Sequence, residues 1–175
     1  KVEKKPVTWP QDIYAAFKRL GIRQVAFVPD AGHTYLIKAC EADKDIQTVS
    51  LTTEEEGVAM LAGTWLGGER GALLMQSSGA GNCINMLGTI QECRFPLLAL
   101  VTMRGEWGEF NPWQLPMGQS TADILTRAGC AVQHVDDASR VGETVFAAGQ
   151  MTFSTGRAGA VLIGQRVVGF KDWSK

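Results

Sequence analysis

The sequence predicts a doubly wound α/β fold, with a mainly parallel, six-stranded sheet covered by helices on both faces. Six short apolar runs alternate along the chain with six segments of helical periodicity. Continuous apolar runs are typical of strands buried on both faces, and their alternation with helices favours parallel pairing. The chain has 175 residues, of which 45% are apolar. We therefore expect a single domain over residues 1–175, with a short tail at each end.

The first half of the chain supplies three of the predicted strands. Pro10 at a first helical position, apolar residues at helical spacing and the stop at Gly21 predict a helix over 10–20. The next predicted elements are a strand, a helix and a strand, at 24–28, about 32–40 and 46–51. The stretch 52–82 then contains an acidic cluster, an apolar helix, a Gly-Gly turn, a strand and a glycine-rich polar loop.

The second half continues the alternation and contains one long exception. Helices and strands are predicted in turn at 83–91, 97–102, 119–127, 130–135, 138–153 and 159–164. Residues 104–117 have no clear period and carry Trp107, Phe110 and Trp113. We predict a long ordered loop here, a feature that is often functional in a compact domain, with aromatics that cover a site or contact a partner subunit.

Composition excludes several classes of function. The net charge of −1 argues against a general nucleic-acid or membrane surface, which needs clustered Lys and Arg. No apolar run is long enough to span a bilayer, and no signal-peptide pattern opens the chain. The cysteines form no CxxC pair and have no histidine at ligand spacing. They predict buried, reduced thiols in a cytoplasmic protein, without a zinc site; they are Cys40, Cys83, Cys93 and Cys130.

Polar and glycine-rich segments follow four of the predicted strands. These segments are 29–33, 53–54, 76–79 and 103–106. Ligands of open α/β sheets bind beyond the carboxyl ends of the strands. The sequence therefore predicts a ligand site at this edge.

Glu54 is the candidate that helix capping does not explain. Thr53 and Glu56 fit a capping box, and Glu55 stands three residues after Thr52. Acidic residues in a first turn also interact favourably with the helix dipole. Glu54 is not needed for either purpose. A carboxylate at a strand end, inside a crevice, is suited to proton exchange.

The remaining candidates each have a structural alternative that stays open. The glycines of 79–81 precede a helix and suit either phosphate binding or a tight turn. His33 follows a strand end and suits either the crevice or packing. Ser77 and Ser78 do not form a nucleophile elbow. Arg104 suits either a clamp for a carboxylate, sulfonate or phosphonate, or an ion pair with Glu106 or Glu109.

The order of these motifs resembles a known family. Four motifs follow one another along the chain: a Pro-Asp loop, a glutamate that opens a helix ending near Ala62-Gly63, the segment 76–82 (QSSGAGN) and the triplet Arg104-Gly105-Glu106. This order resembles that of the pyrimidine-binding domain of thiamine-diphosphate-dependent decarboxylases. The likeness covers nearly the whole chain. It is nearest to the alpha subunit of sulfopyruvate decarboxylase and the matching half of phosphonopyruvate decarboxylase.

The resemblance implies roles for individual residues. Gly63, nine positions downstream, selects Glu54 over its two neighbours as the carboxylate that bonds N1′ of the aminopyrimidine. Cofactor contacts are implied for Val28, Pro29, Gln76, Gly79 and Asn82. Substrate or proton-handling contacts are implied for Asp30, His33, Ser77, Ser78 and Arg104. Glu54 would share a proton with the ring and so poise the cofactor for attack on a 2-keto acid.

The resemblance also implies a partner. Single-chain relatives carry a second domain whose Gly-Asp-Gly…Asn segment holds magnesium and the diphosphate, and this sequence contains no such segment. We expect a separate beta-type subunit, with thiamine diphosphate and Mg²⁺ at the interface of a hetero-oligomer. The predicted function is decarboxylation of a 2-keto acid with a second anionic group. The alternatives are a non-catalytic regulatory subunit, another lyase or ligase on the same cofactor, or an unrelated nucleotide-binding domain.

Overall fold

The computed structural model describes residues 8–170, and the predicted tails at residues 1–7 and 171–175 lie outside this range. Six parallel strands form one sheet in the order β2-β1-β3-β4-β6-β5. The strands are β1 Ile22–Phe27, β2 Gln47–Ser50, β3 Arg70–Gln76, β4 Leu97–Thr102, β5 Ala131–Val135 and β6 Ala158–Ile163. This confirms the predicted fold class and number of strands.

Helices connect the strands. They are α1 Trp9–Leu20, α2 Thr34–Glu41, α3 Glu54–Leu66, α4 Ser77–Cys83, α5 Leu87–Cys93, α6 Leu115–Arg127, α7 Val141–Thr155 and α8 Gln165–Val168. Three 3₁₀ turns occupy Ala31–His33, Pro112–Gln114 and Ala138–Arg140. Within the described range, no helix has the length and apolar character that crossing a membrane requires.

Two hydrophobic clusters cover the two faces of the sheet. One lies under α1, α2 and α7, where Ile13 and Phe17 of α1 are fully buried. The other lies under α3 to α6 and includes Val58 of α3 and Leu125 of α6. Helices α1 to α7 thus bury apolar residues against the sheet, as a doubly wound fold requires. At the centre, β4 and β6 are buried along their whole length.

The chain changes direction in the sheet between β1 and β3. From β1 the chain runs outward to β2, and it then returns to place β3 on the other side of β1. The connection after β1 leads to α2 on one face, whereas the connection after β3 leads to α4 on the opposite face. The crevice between such oppositely directed connections is the usual ligand site of the fold.

The prediction of a glycine-rich loop at 76–82 was wrong, because residues 77–83 form helix α4. Local propensity favours a turn for this run of serines and glycines. In the structure α4 lies between α3 and α6, and a Cβ on Gly79 of α4 would be only 2.5 Å from Glu54 Cδ of α3. The small residues therefore permit close helix packing, and this packing overrides their weak helix propensity.

Three smaller expectations need correction. Thr53 precedes α3 but its side chain caps nothing, because Glu56 instead accepts hydrogen bonds from the backbone N and Oγ1 of Thr52. Cys93 is exposed, whereas the other three cysteines are buried, and all four are free. The loop 104–117 is shorter than predicted, since a 3₁₀ turn precedes the start of α6 at Leu115.

Candidate active site

Glu54 is a buried carboxylate at the first position of α3, only 7% exposed. Asn82 of α4 donates from Nδ2 to Glu54 Oε2 over 2.8 Å. Glu54 Oε1 accepts no hydrogen bond from another described residue. Oε1 is therefore the oxygen of this carboxylate that is left for a ligand to bond. The neighbouring Glu55 and Glu56 are exposed.

Gly79 makes room for this carboxylate. A Cβ at Gly79 would lie 2.5 Å from Glu54 Cδ and 2.7 Å from Cγ, closer than atoms approach without a shift. Gly79 is fully helical and has no positive φ, so glycine is needed here for space and not for backbone conformation. α3 and α4 thus meet at the carboxylate, with Asn82 one turn further along.

The end of β3 presents a second polar atom without a partner. Gln76 Oε1 is buried and has no hydrogen-bond partner among the described residues. Gln76 is the last residue of β3 and leads directly into α4. Directly after the neighbouring strand β1, Val28 is half-buried and Pro29 is exposed. The predicted cofactor residues therefore lie at the β1–β3 crevice, and two of them offer unpaired oxygens.

Asp30 begins a separate cleft at the carboxyl ends of β1, β4 and β6. Thr102 Oγ1, at the end of β4, donates to Asp30 Oδ2 over 2.6 Å. The cleft has a volume of about 230 Å³. Its lining consists of Asp30, Ala31, Gly32, Thr102, Arg104, Glu109, Phe110, Gln165, Val168, Gly169 and Phe170. Glu54, Gln76 and Asn82 are not part of it.

His33 lies beneath the edge of the sheet and not in the cleft. Its side chain is fully buried, and Nε2 is 3.2 Å from the carbonyl oxygen of Leu100. Burial lowers the pKa of His33, which favours the neutral ring with Nε2 donating to that carbonyl. Its Nδ1 has no partner among the described residues. A direct contact with substrate, as predicted from sequence, would require the edge to open.

Arg104 forms an ion pair with Glu109, one of the two pairings left open by the sequence. Its Nε and Nη2 each donate to Glu109 over 2.7 Å. Glu109 is also bonded by Gly105 N, Asn111 N and Gln165 Nε2. The Arg104 guanidinium lowers the pKa of Glu109 to about 2. Arg104 is therefore neutralised within the protein and is not a free anion clamp.

Ser77 connects the crevice with the cleft. It is fully buried, and its Oγ lies 3.1 Å from Arg104 N, which donates to it. Ser77 therefore fixes the backbone at the start of the 104–117 segment. Ser78 is half-buried. Sequence analysis missed Thr102 and Gln165, although both stand at or beside the carboxyl end of a strand, the same signal that identified Asp30 and Glu54.

The fold and this crevice define a cofactor-binding domain of the α/β type. Residues 8–112 match the model of the family described as "Thiamine pyrophosphate enzyme, N-terminal TPP binding domain". The chain belongs to this family.

Three relatives differ in their sequence identity to this chain and in how much of each protein is covered. The chain is 33% identical to the sulfopyruvate decarboxylase subunit alpha of Methanothermobacter thermautotrophicus, over 86% of this chain and 92% of that protein. It is 40% identical to the protein of the same name from Methanococcus maripaludis, over 65% and 68% of the two chains. It is 34% identical to phosphonopyruvate decarboxylase of Streptomyces viridochromogenes, over 78% of this chain and 35% of that protein.

A solved structure supports the fold. The chain matches 2-oxoglutarate:ferredoxin oxidoreductase from Magnetococcus marinus with a TM-score of 0.75 and 14% identity, over 91% of this chain and 29% of that chain. The residues of the crevice fit the cofactor that names the family. Glu54 Oε1 and Gln76 Oε1 lack partners among the described residues. An aminopyrimidine ring has an amine that donates hydrogen bonds and a ring nitrogen that can share a proton with a carboxyl group.

Proposed function

We propose that this chain is the alpha subunit of a thiamine pyrophosphate-dependent decarboxylase acting on a 2-keto acid. The observation that carries this proposal is the Glu54 carboxylate, which is buried, tied through Oε2 to Asn82 and open at Oε1. The names of the relatives, sulfopyruvate and phosphonopyruvate decarboxylase, support the reaction class.

The residues of the crevice would hold and orient the aminopyrimidine ring of the cofactor. Glu54 Oε1 would share a proton with the ring nitrogen N1′, while Asn82 keeps the other oxygen in place. Gly79 allows α4 to approach close enough for this arrangement. Gln76 Oε1 would accept a hydrogen bond from the exocyclic amine. Thiamine pyrophosphate, when bound, supplies the electron sink for the negative charge left as carbon dioxide departs.

The second anionic group of the substrate is also part of the proposal. It is supported by the sulfonate and phosphonate in the names of the relatives. Arg104 does not support it, because Glu109 already occupies its planar fork. We propose that the partner subunit supplies the missing positive charge. A reconstituted complex should therefore prefer sulfopyruvate or phosphonopyruvate over pyruvate in kcat/KM, and equal values for all three would contradict this part.

A beta-type partner subunit would hold the diphosphate and Mg²⁺, with the whole enzyme in the cytoplasm. The partner is supported by the alpha-subunit names of the relatives, one of which this chain matches over 92% of its length. The isolated chain should then bind thiamine pyrophosphate weakly in calorimetry, whereas the complex binds it tightly. Tight, magnesium-dependent binding by the isolated chain would contradict the shared site.

Glu54→Gln tests the catalytic role. Gln keeps the shape and the contact with the crevice but cannot hold the proton, so turnover of the reconstituted complex should fall about 10²–10⁴-fold. Glu55→Gln is the matched control, because Glu55 is the exposed neighbour in the same helical turn. Full turnover after Glu54→Gln would favour the alternative of a non-catalytic subunit.

A further inference from the structure

Three possible metal ligands meet at the carboxyl ends of β5 and β6, outside the cleft and the crevice. They are Glu106, His134 and Asp136, and one ligand atom from each lies within 4.8 Å of the other two. Glu106 Oε1 is 2.8 Å from His134 Nε2, and Asp136 Oδ2 is 3.5 Å from His134 Nδ1. Ligands bound to one ion at 2.0–2.2 Å are separated by about 3–4 Å. The two carboxylates contact opposite nitrogens of the His134 ring, and one ion binds only one of these nitrogens. To share an ion, one carboxylate must therefore move towards the nitrogen that the other contacts.

Gly164 provides the space for this cluster. Its backbone, with φ −59° and ψ 151°, is one that any residue can adopt. A Cβ there would collide with Asp136 Oδ1 and lie 3.1 Å from His134 Cε1. Glycine at this position therefore leaves room for the observed position of the Asp136 side chain, whereas the chain path would accept any residue.

Glu106 is held in place by the residue that follows Gly164. Gln165 N donates to Glu106 Oε2 over 3.1 Å, and Gln165 Oε1 accepts from Glu106 N over 3.0 Å. One carboxylate oxygen is thus fixed, and the other points at His134. Fixing a ligand through its second oxygen is a common feature of metal sites, because it orients the first.

We propose that Glu106, His134 and Asp136 bind a divalent transition-metal ion, of which Zn²⁺ is the representative. One imidazole and two carboxylates suit such an ion, and two negative charges neutralise it. The side chains are 24%, 36% and 53% exposed, so water can complete the coordination. The ion displaces the proton that otherwise lies between His134 and Glu106, and it joins β5 to the 104–117 segment.

Hydrogen bonds connect the proposed ion site with the cleft. Gln165, which fixes Glu106, also donates from Nε2 to Glu109 over 3.0 Å. Glu109 in turn holds Arg104 at the lining of the cleft. A metal ion at the three ligands therefore rigidifies the segment that covers the cleft, and its role is structural.

Calorimetric titration of the full chain with ZnCl₂, after treatment with a chelator, tests the site. We expect one ion per chain and a rise in melting temperature on addition of zinc. Glu106→Gln, His134→Asn and Asp136→Asn should each weaken binding at least tenfold. Asp123→Asn, at an exposed carboxylate without a recorded partner on α6, is the matched control and should leave binding unchanged.

Gly164→Ala is the second test, because it keeps all three ligands while displacing Asp136 and His134. It should weaken zinc binding while the far-ultraviolet circular dichroism spectrum remains that of the parent. Zinc binding that survives all the ligand substitutions, or that disappears only with Cys93→Ser, would overturn the proposal. Absence of binding to the parent chain at micromolar zinc would overturn it as well.

Discussion

The crevice around Glu54 and the cleft around Arg104 lie on the same edge of the sheet, but they differ in how fully their polar and charged groups are paired within the protein. In the crevice, Glu54 keeps one oxygen without a protein partner, and Gln76 Oε1 is buried and unpaired. In the cleft, Arg104 and Glu109 satisfy one another, and three further donors complete Glu109. Unpaired buried polar atoms destabilise a protein unless a ligand pairs them. The crevice therefore leaves two oxygens for a ligand to bond, as the proposed function requires, whereas the ion pair in the cleft is satisfied within the protein.

Gly79→Ala should disturb the crevice without removing any of its polar groups. The added methyl group collides with the Glu54 carboxylate and moves it, and a displacement of about 1 Å in an active site can cost 10²-fold in rate. We expect kcat/KM of the reconstituted complex to fall by about that factor.

Gly81→Ala is the control for this substitution. It lies on the same helix, where the new Cβ would be 3.4 Å from the flexible side chain of Met117. Alanine there should leave turnover nearly intact and favour the helix by up to about 1 kcal/mol. Equal turnover of the Gly79→Ala and Gly81→Ala complexes would show that catalysis does not depend on the close approach of α4 to Glu54.

Glu109→Gln should affect stability more than chemistry. The change leaves the partly buried Arg104 without its counter-ion, and hydrogen bonds to charged groups contribute about 2 kcal/mol. Urea unfolding of the chain at pH 7 should show a loss of this size. Glu92→Gln, at an exposed carboxylate without a recorded partner, should show almost none.

The ion pair between Arg104 and Glu109 should also make the unfolding free energy depend on pH, and this is the smallest effect that we expect. The pKa of Glu109 is lowered to about 2 in the folded chain, against about 4.3 for an ordinary glutamate. Its contribution to stability is therefore complete above pH 4.3 and is lost as the pH falls from there towards 2. The difference in unfolding free energy between the parent and Glu109→Gln should narrow over that range. A difference that stays constant down to pH 3 would contradict the assignment.

Sequence reasoning recovered the strands because their signal is local. The signal is clearest in the buried strands β4 and β6, which contain no polar residue except the Thr102 that ends β4. Strand ends then identified Asp30, Glu54, Gln76 and Arg104 as neighbours of the edge, since parallel strands bring their carboxyl ends together.

Other features depend on distant partners and were not accessible from the sequence. Helix α4 exists because α3 and α6 pack on both sides of it, which the run of serines and glycines does not reveal. The choice of Glu109 over Glu106 as partner of Arg104 depends on the chain reversal at Gly105, where φ is 78°. The burial of His33 likewise follows from β4, whose Leu100 lies 67 positions away.

A crystal structure of the complex of this chain with its partner subunit and thiamine pyrophosphate tests the central claim most directly. The distance to measure is that from Glu54 Oε1 to ring nitrogen N1′. The predicted value is about 2.6–3.2 Å, with Asn82 still bonded to Oε2. A separation above about 4 Å, or a different carboxylate against N1′, would contradict the assignment of Glu54.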